Sequence, residues 1–110
     1  MDVVPVEIQF YQTISERRPF EEWLESLETK LQKIVAVRLA RVRKGLFGDV
    51  ESVGKGVFEL KIDAGPGYRI YYGKAGNIVV VLLHGGEKKR QSADIERAQA
   101  YWREYLGRMR

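Results

Sequence analysis

The first third of the chain moves between two hydrophobic rhythms. In VPVEIQFY, Val4, Val6, Ile8 and Phe10 recur at every second position, with Pro5 near the start, and the stretch predicts a strand. In ISERRPFEEWLESL the spacing lengthens: Phe20, Trp23, Leu24 and Leu27 fall at i, i+3, i+4 and i+7. That single apolar stripe predicts a helix and places Trp23 in a core. Pro19 suits the first helical position, and Glu21 and Glu22 occupy a first turn, where the helix dipole favours anions. A second helix is predicted from Thr29 to Lys44, with Leu31, Val35, Leu39, Val42 and Leu46 at helical spacing and Gly45 as its stop. The two helices are expected to form a hairpin packed on a sheet.

Beyond Phe47 the period drops to two, broken by glycines. GVFELKID alternates strictly, so Phe58, Leu60 and Ile62 share a core face while Val57, Glu59, Lys61 and Asp63 take the other. AGPG is a loop, YRIYYGK a returning strand and KAGN a turn. NIVVVLLHG is apolar on both faces, as a central strand covered on both sides would be. Together these predict an antiparallel meander of three strands. SADIERAQAYWREYLG predicts a last helix capped by Ser92, with Asp94 and Glu96 in its first turn. Its inner stripe is Ile95, Ala98, Trp102 and Tyr105, and Gly107 is its stop. There are no repeats, linkers or low-complexity tracts. The reading is a single α+β domain over residues 1–110: strand, helical hairpin, meander, helix.

Composition narrows the setting. A chain of 110 residues suffices for one modest core, and the absence of cysteine excludes disulfides and thiolate metal sites. The start lacks a basic and apolar leader, and the longest apolar run, Ile78 to Leu83, is too short to span a bilayer. The expected location is the cytoplasm, with no membrane contact. The net charge of +4 is unevenly spread: residues 1–28 hold seven acids against Arg17 and Arg18, a net −5, which leaves +9 for residues 29–110. No acid interrupts the cations from Lys30 to Lys44. Such segregation fits a basic face offered to a polyanion or an acidic partner, and equally a solvated, charge-rich surface.

On the polar face of the meander, alternation brings Arg69 and Tyr71 beside Glu59 and Lys61, with cross-strand neighbours about 5 Å apart. The strand that ends in His84 is followed by EKKRQ, which delivers Lys88, Lys89, Arg90 and Gln91 to the same end. An exposed Arg69–Glu59 ion pair would account for part of this. The functional alternative is a phosphate-binding surface: the arginine fork grips phosphate oxygens, lysines add charge, and Tyr71 stacks on an unpaired base. The same groups suit metal-free RNA cleavage, in which a 2′-OH attacks its own 3′ phosphate and cations meet the developing charge. With one histidine and no cysteine, a histidine or thiolate metal cluster is excluded. No phosphate-binding P-loop or serine nucleophile elbow is present. His84, assigned to the face of Val80 and Leu82, reads as a structural histidine, with catalytic base as the alternative.

The motifs GVFELKIDAGPGYRIYY and LLHGGEKKRQSADIERAQAYWREY resemble the RelE/ParE toxin superfamily, in its phage-derived, HigB-like branch. The resemblance rests on the second half of the chain. It implies the toxin of a type II toxin–antitoxin pair, a ribosome-dependent mRNA endonuclease that uses side chains and no cofactor. Its implied partners are the ribosome, mRNA and a helix-turn-helix antitoxin with which it forms an oligomer. Arg69 then matches the arginine at the scissile phosphate, Lys61 a supporting lysine, and Lys88 or Lys89 a transition-state cation, with Arg90 and Gln91 holding substrate. The carboxy-terminal tyrosine or histidine of several relatives has no clear counterpart. Asp94, Tyr101 and Tyr105 are the candidates in that region, with Tyr101 about two helical turns from Asp94. Glu59 and His84 are the other candidates for proton transfer. Within the superfamily a ParE-like gyrase inhibitor is the alternative, and a catalytically inactive antitoxin-binding module is another.

Overall fold

The computed structural model describes residues 5–109, so Val4, predicted in the first strand, lies outside the described residues. The elements are β1 (Glu7–Phe10), α1 (Pro19–Glu25), α2 (Thr29–Arg43), β2 (Val50–Ser52), β3 (Val57–Ile62), β4 (Tyr68–Ala75), β5 (Val79–Glu87) and α3 (Gln91–Arg108). One 3₁₀ turn, Lys88–Arg90, joins β5 to α3. The predicted α+β class and element order stand, with one strand added: β2 pairs with β3 ahead of the meander. The sheet order is β1-β5-β4-β3-β2, with β1 parallel to β5 and the other pairs antiparallel. Among the described residues, no helix is long and apolar enough to cross a membrane.

Local chemistry sets the helix ends. Pro19 opens α1 as predicted, with Glu21 and Glu22 in its first turn. Gly45, at φ 81°, closes α2: its N–H reaches the Val42 carbonyl at 2.8 Å while that of Leu46 reaches Arg41 at 2.9 Å. That reciprocal pair is a Schellman motif, which carries Leu46 out of the helix and leaves it exposed rather than on the inner stripe. At α3 two expectations fail. The 3₁₀ turn feeds straight into the helix, so Ser92 lies inside the first turn instead of capping it. Gly107 does not stop the helix, which continues to Arg108.

Both faces of the sheet are covered. Leu60, Ile62, Ile70, Tyr72, Val80 and Leu82 pack against Phe20 of α1 and Val35, Leu39 and Val42 of α2. On the opposite face Val57, Tyr71, Val81 and Leu83 pack against Ala98 and Trp102 of α3. Gly73 makes the second packing possible, because a Cβ there would strike the Trp102 ring. The face expected to be solvent-exposed is therefore roofed by α3, and Glu59 and Tyr71 have no exposed surface at all.

The β4–β5 ladder slips between Tyr71 and Tyr72: Tyr71 pairs with His84, but Tyr72 pairs with Leu82. Leu83 is the extra residue of this β-bulge. It moves His84 off the Val80–Leu82 face, where strict alternation had put it, and onto the α3 side.

Candidate nucleic-acid interface

Beneath the first turns of α3 lies a network of buried polar side chains. Cross-strand register sets Glu59 opposite Tyr71 and Lys61 opposite Arg69. The Arg69 guanidinium pairs through Nε with Glu59 Oε2 at 3.4 Å, its side chain only 11% exposed. Gln91 Nε2 donates to the same carboxylate oxygen at 2.8 Å. The Tyr71 hydroxyl is held well above its usual pKa, first by burial and then by the adjacent Glu59 charge. One strand over, His84 Nε2 donates to Asp94 Oδ1 at 3.0 Å. Asp94 can come this close because residue 86 is glycine, since a Cβ there would run into the carboxylate. Burial lowers the His84 pKa, opposed in part by the Asp94 hydrogen bond, so the ring is neutral near pH 7.

An open cleft of about 430 Å³ runs past the end of this network, at the β3–β4 loop. Lys61, Arg69 and Lys88 all line it, together with Arg38 from α2. The loop Gly65–Pro66–Gly67 forms its lip, where Gly67 faces Arg69 Nη1 and the Lys88 stem. Arg38 donates to the carbonyls of Lys61 and Phe47, both at 3.0 Å, which ties α2 to the end of β3. Lys61, half-buried, reaches the exposed Glu51 on β2 at 3.2 Å. Among the described residues, no carboxylate lies within 4.0 Å of the charged nitrogens of Lys88 or Arg38. Asp49 and Asp63 also line the cleft. The arrangement offers a phosphodiester four cations on separate elements, one of them anchored from below.

The structure thus gathers some predicted site residues and separates others. Lys61, Arg69 and Lys88 share the cleft as expected. Tyr71 cannot stack on a base, because α3 covers its ring completely. Glu59 is likewise sealed from substrate, and Gln91 is turned inward to hold it. Lys89 points to Glu87 at 3.6 Å, and Arg90 lines a different cleft with His84 and Asp94. Sequence reasoning missed Arg38, Asp49, Asp63 and Tyr68 as cleft residues. Of these, Arg38 was signalled by the acid-free run of cations in α2, and Asp63 by its alternation with Lys61.

The family described as phage-derived protein Gp49-like (DUF891) matches residues 22–102, from within α1 to Trp102 of α3. The chain belongs to the Gp49-like family. That family is RelE-like and toxin-like, in agreement with the resemblance seen in the two motifs. An uncharacterized protein of Haemophilus influenzae is 42% identical over 81 residues, which cover 73% of this chain and 82% of the relative. Every residue of the Gp49-like chain named in the cleft and in the buried network falls inside the matched segment.

Proposed function

We propose that this Gp49-like protein is the toxin of a type II toxin–antitoxin pair and acts as a ribosome-dependent mRNA endonuclease of HigB-like type. The observation that carries the reading is the convergence of Lys61, Arg69, Lys88 and Arg38 on one open cleft. In the proposed reaction the 2′-OH attacks the adjacent phosphorus, the bond to the 5′ oxygen breaks, and that oxygen takes a proton from water in the open cleft, giving a 2′,3′-cyclic phosphate and a 5′-OH. Negative charge grows on the non-bridging oxygens, where the cations stand. Removing one such preorganised donor costs about 10²–10³ in rate. The carboxylates available to take the 2′-OH proton are Asp49 and Asp63 on the cleft wall. Glu59, with no exposed surface, serves Arg69 instead. The weak Lys61–Glu51 pair opens readily when phosphate offers a better partner. A helix-turn-helix antitoxin is the expected partner, and the cytoplasm the expected place of action.

The test is inducible expression of the chain without a partner, followed by radiolabelled methionine incorporation. Translation falls promptly with wild type and continues with Lys61→Met/Lys88→Ala. Both substitutions lie at partly or fully exposed side chains and leave the core intact. Continued translation with DNA damage would replace this reading with a ParE-like action on gyrase. Growth unaffected by the wild-type protein would leave only a binding role.

A further inference from the structure

A second cleft, of about 440 Å³, opens between α1, the end of β5 and the start of α3. Its walls include Trp23, Tyr68, His84, Arg90, Asp94 and Arg97. Trp23 is partly exposed and lies directly on Gly85, where any Cβ would strike its ring. Its ring centroid stands 6.3 Å from that of Tyr68 at a tilt of 55°, so the partly exposed indole and the edge of the largely buried Tyr68 line the same cleft. Arg90 and Arg97 are exposed, and among the described residues neither has an acidic partner within 4.0 Å. Of the carboxylates of this cleft, Asp94 accepts from His84 through Oδ1 at 3.0 Å while its Oδ2 is buried without a partner among the described residues, and Glu87 lies 3.6 Å from Lys89. Both guanidinium groups lie near enough to His84 to help hold its pKa down. The second cleft meets the first at Tyr68, which lines both, and at the consecutive residues Glu87 and Lys88, which line one each.

Free arginines beside an aromatic wall are the two components that hold single-stranded RNA, one for the phosphate and one for the base. We propose that the second cleft is an RNA subsite for the nucleotide next to the one cleaved: its base packs against Trp23 and Tyr68, and its phosphate is gripped by Arg90 and Arg97. The strand then runs over Tyr68 from the first cleft to the second. This rests on the proposed endonuclease function and adds the path of its substrate. Gly85 and Gly86 acquire a shared reason, since one seats Trp23 and the other seats Asp94 at the two sides of the cleft.

The probe is a short single-stranded RNA with 2′-O-methyl groups throughout, which cannot be cleaved by 2′-OH attack. It is titrated into the full chain, with tryptophan fluorescence and the anisotropy of a dye on the RNA as readouts. Binding quenches the fluorescence of Trp23, whereas Trp102, on the inner face of α3, is buried against the sheet and does not respond. Arg90→Ala/Arg97→Ala weakens binding roughly tenfold and lowers the slope of log Kd against log salt by about 0.7 for each phosphate that is no longer neutralised. Trp23→Phe, which preserves an aromatic ring on Gly85, removes the quench and weakens binding severalfold. The exposed Arg17→Ala serves as a control and changes neither. An Arg90→Ala/Arg97→Ala protein that binds within twofold of wild type, with the same salt slope, overturns the proposal; so does the absence of any quench at millimolar RNA. Both results concern uncleavable RNA. Continued translation in cells would refute endonuclease action while leaving these binding results standing, and unchanged binding would refute the subsite while translation arrest stood.

Discussion

Arg69→Ala removes the cation paired with a carboxylate that has no exposed surface. In that variant Glu59 keeps the Gln91 amide at 2.8 Å and its place beside Tyr71, but loses its charge partner. Breaking a buried pair from one side costs about 3–5 kcal/mol, against about 0–1 kcal/mol for the exposed pair that the sequence suggested. A domain of this size has roughly 5–15 kcal/mol in hand, so Tm falls by more than about 10 °C. The two single substitutions are not equivalent. Arg69 reaches the open cleft with its Nη1 edge, so Glu59→Gln leaves an arginine that water can still solvate, and it costs less than Arg69→Ala. Removing both charges in Glu59→Gln/Arg69→Ala recovers at least half of the loss. Urea unfolding followed by tryptophan fluorescence and far-ultraviolet circular dichroism, at an unchanged m-value, measures all three. A cost below about 1 kcal/mol for Arg69→Ala, or a double variant no more stable than the single one, would refute the buried-pair argument. The result also decides how toxicity is read, since an inactive Arg69→Ala protein is informative only where it is still folded.

Two further outcomes follow from the same network. Gly86→Ala drives a methyl group into the Asp94 carboxylate, and the displacement costs about 1–3 kcal/mol, read as lower Tm and faster amide exchange in the first turns of α3; unchanged exchange there would contradict the packing. His84 has its folded pKa lowered by burial, so the unfolded chain takes up the proton first. Its contribution is therefore complete above the ordinary histidine value of about 6.5 and is lost as pH falls from there toward the folded value. Tm measured between pH 7.5 and 5 should drop in wild type and be flatter in His84→Asn, with equal slopes counting against the assignment.

The order of elements was legible because each carries its own rhythm, and the helical stripes and the strict alternation of β3 survive in the fold almost unchanged. The layer arrangement was legible only in part. Alternation says that Glu59, Arg69 and Tyr71 share a face, but it does not say what lies over that face. The clue was β5, whose apolar residues on both sides demanded a second cover, and the stripe of α3 was free to provide it. The bulge at Leu83 left no local mark, because it exists only in the register between two strands, and it decided where His84 went. β2 spans three residues, too few for a period to show. The trio Lys61, Arg69 and Lys88 was found from motif and register, and Asp63 follows from the same alternation, whereas Arg38 and Asp49 reach the cleft through tertiary packing.

A buried ion pair is a poor means of stabilising a fold, because apolar residues of similar size commonly do as well or better. Its position here follows instead from what it constrains. Gln91, on the first turn of α3, holds Glu59, and Glu59 holds Arg69 at Nε. The far edge of the guanidinium is left at Gly67, on the cleft wall. A single chain of interactions thus runs from the docking of α3 to the direction in which one cation faces. On the proposed function, that cation meets developing charge without having to reorganise, which is where electrostatic stabilisation of a transition state is most effective. Lys88, by contrast, is exposed, and Lys61 is half-buried in a single weak pair with Glu51, so both supply charge with less fixed geometry. On that proposal the site divides its labour: one arginine fixed from beneath sets the position of the phosphate, and the lysines around it add the remaining charge.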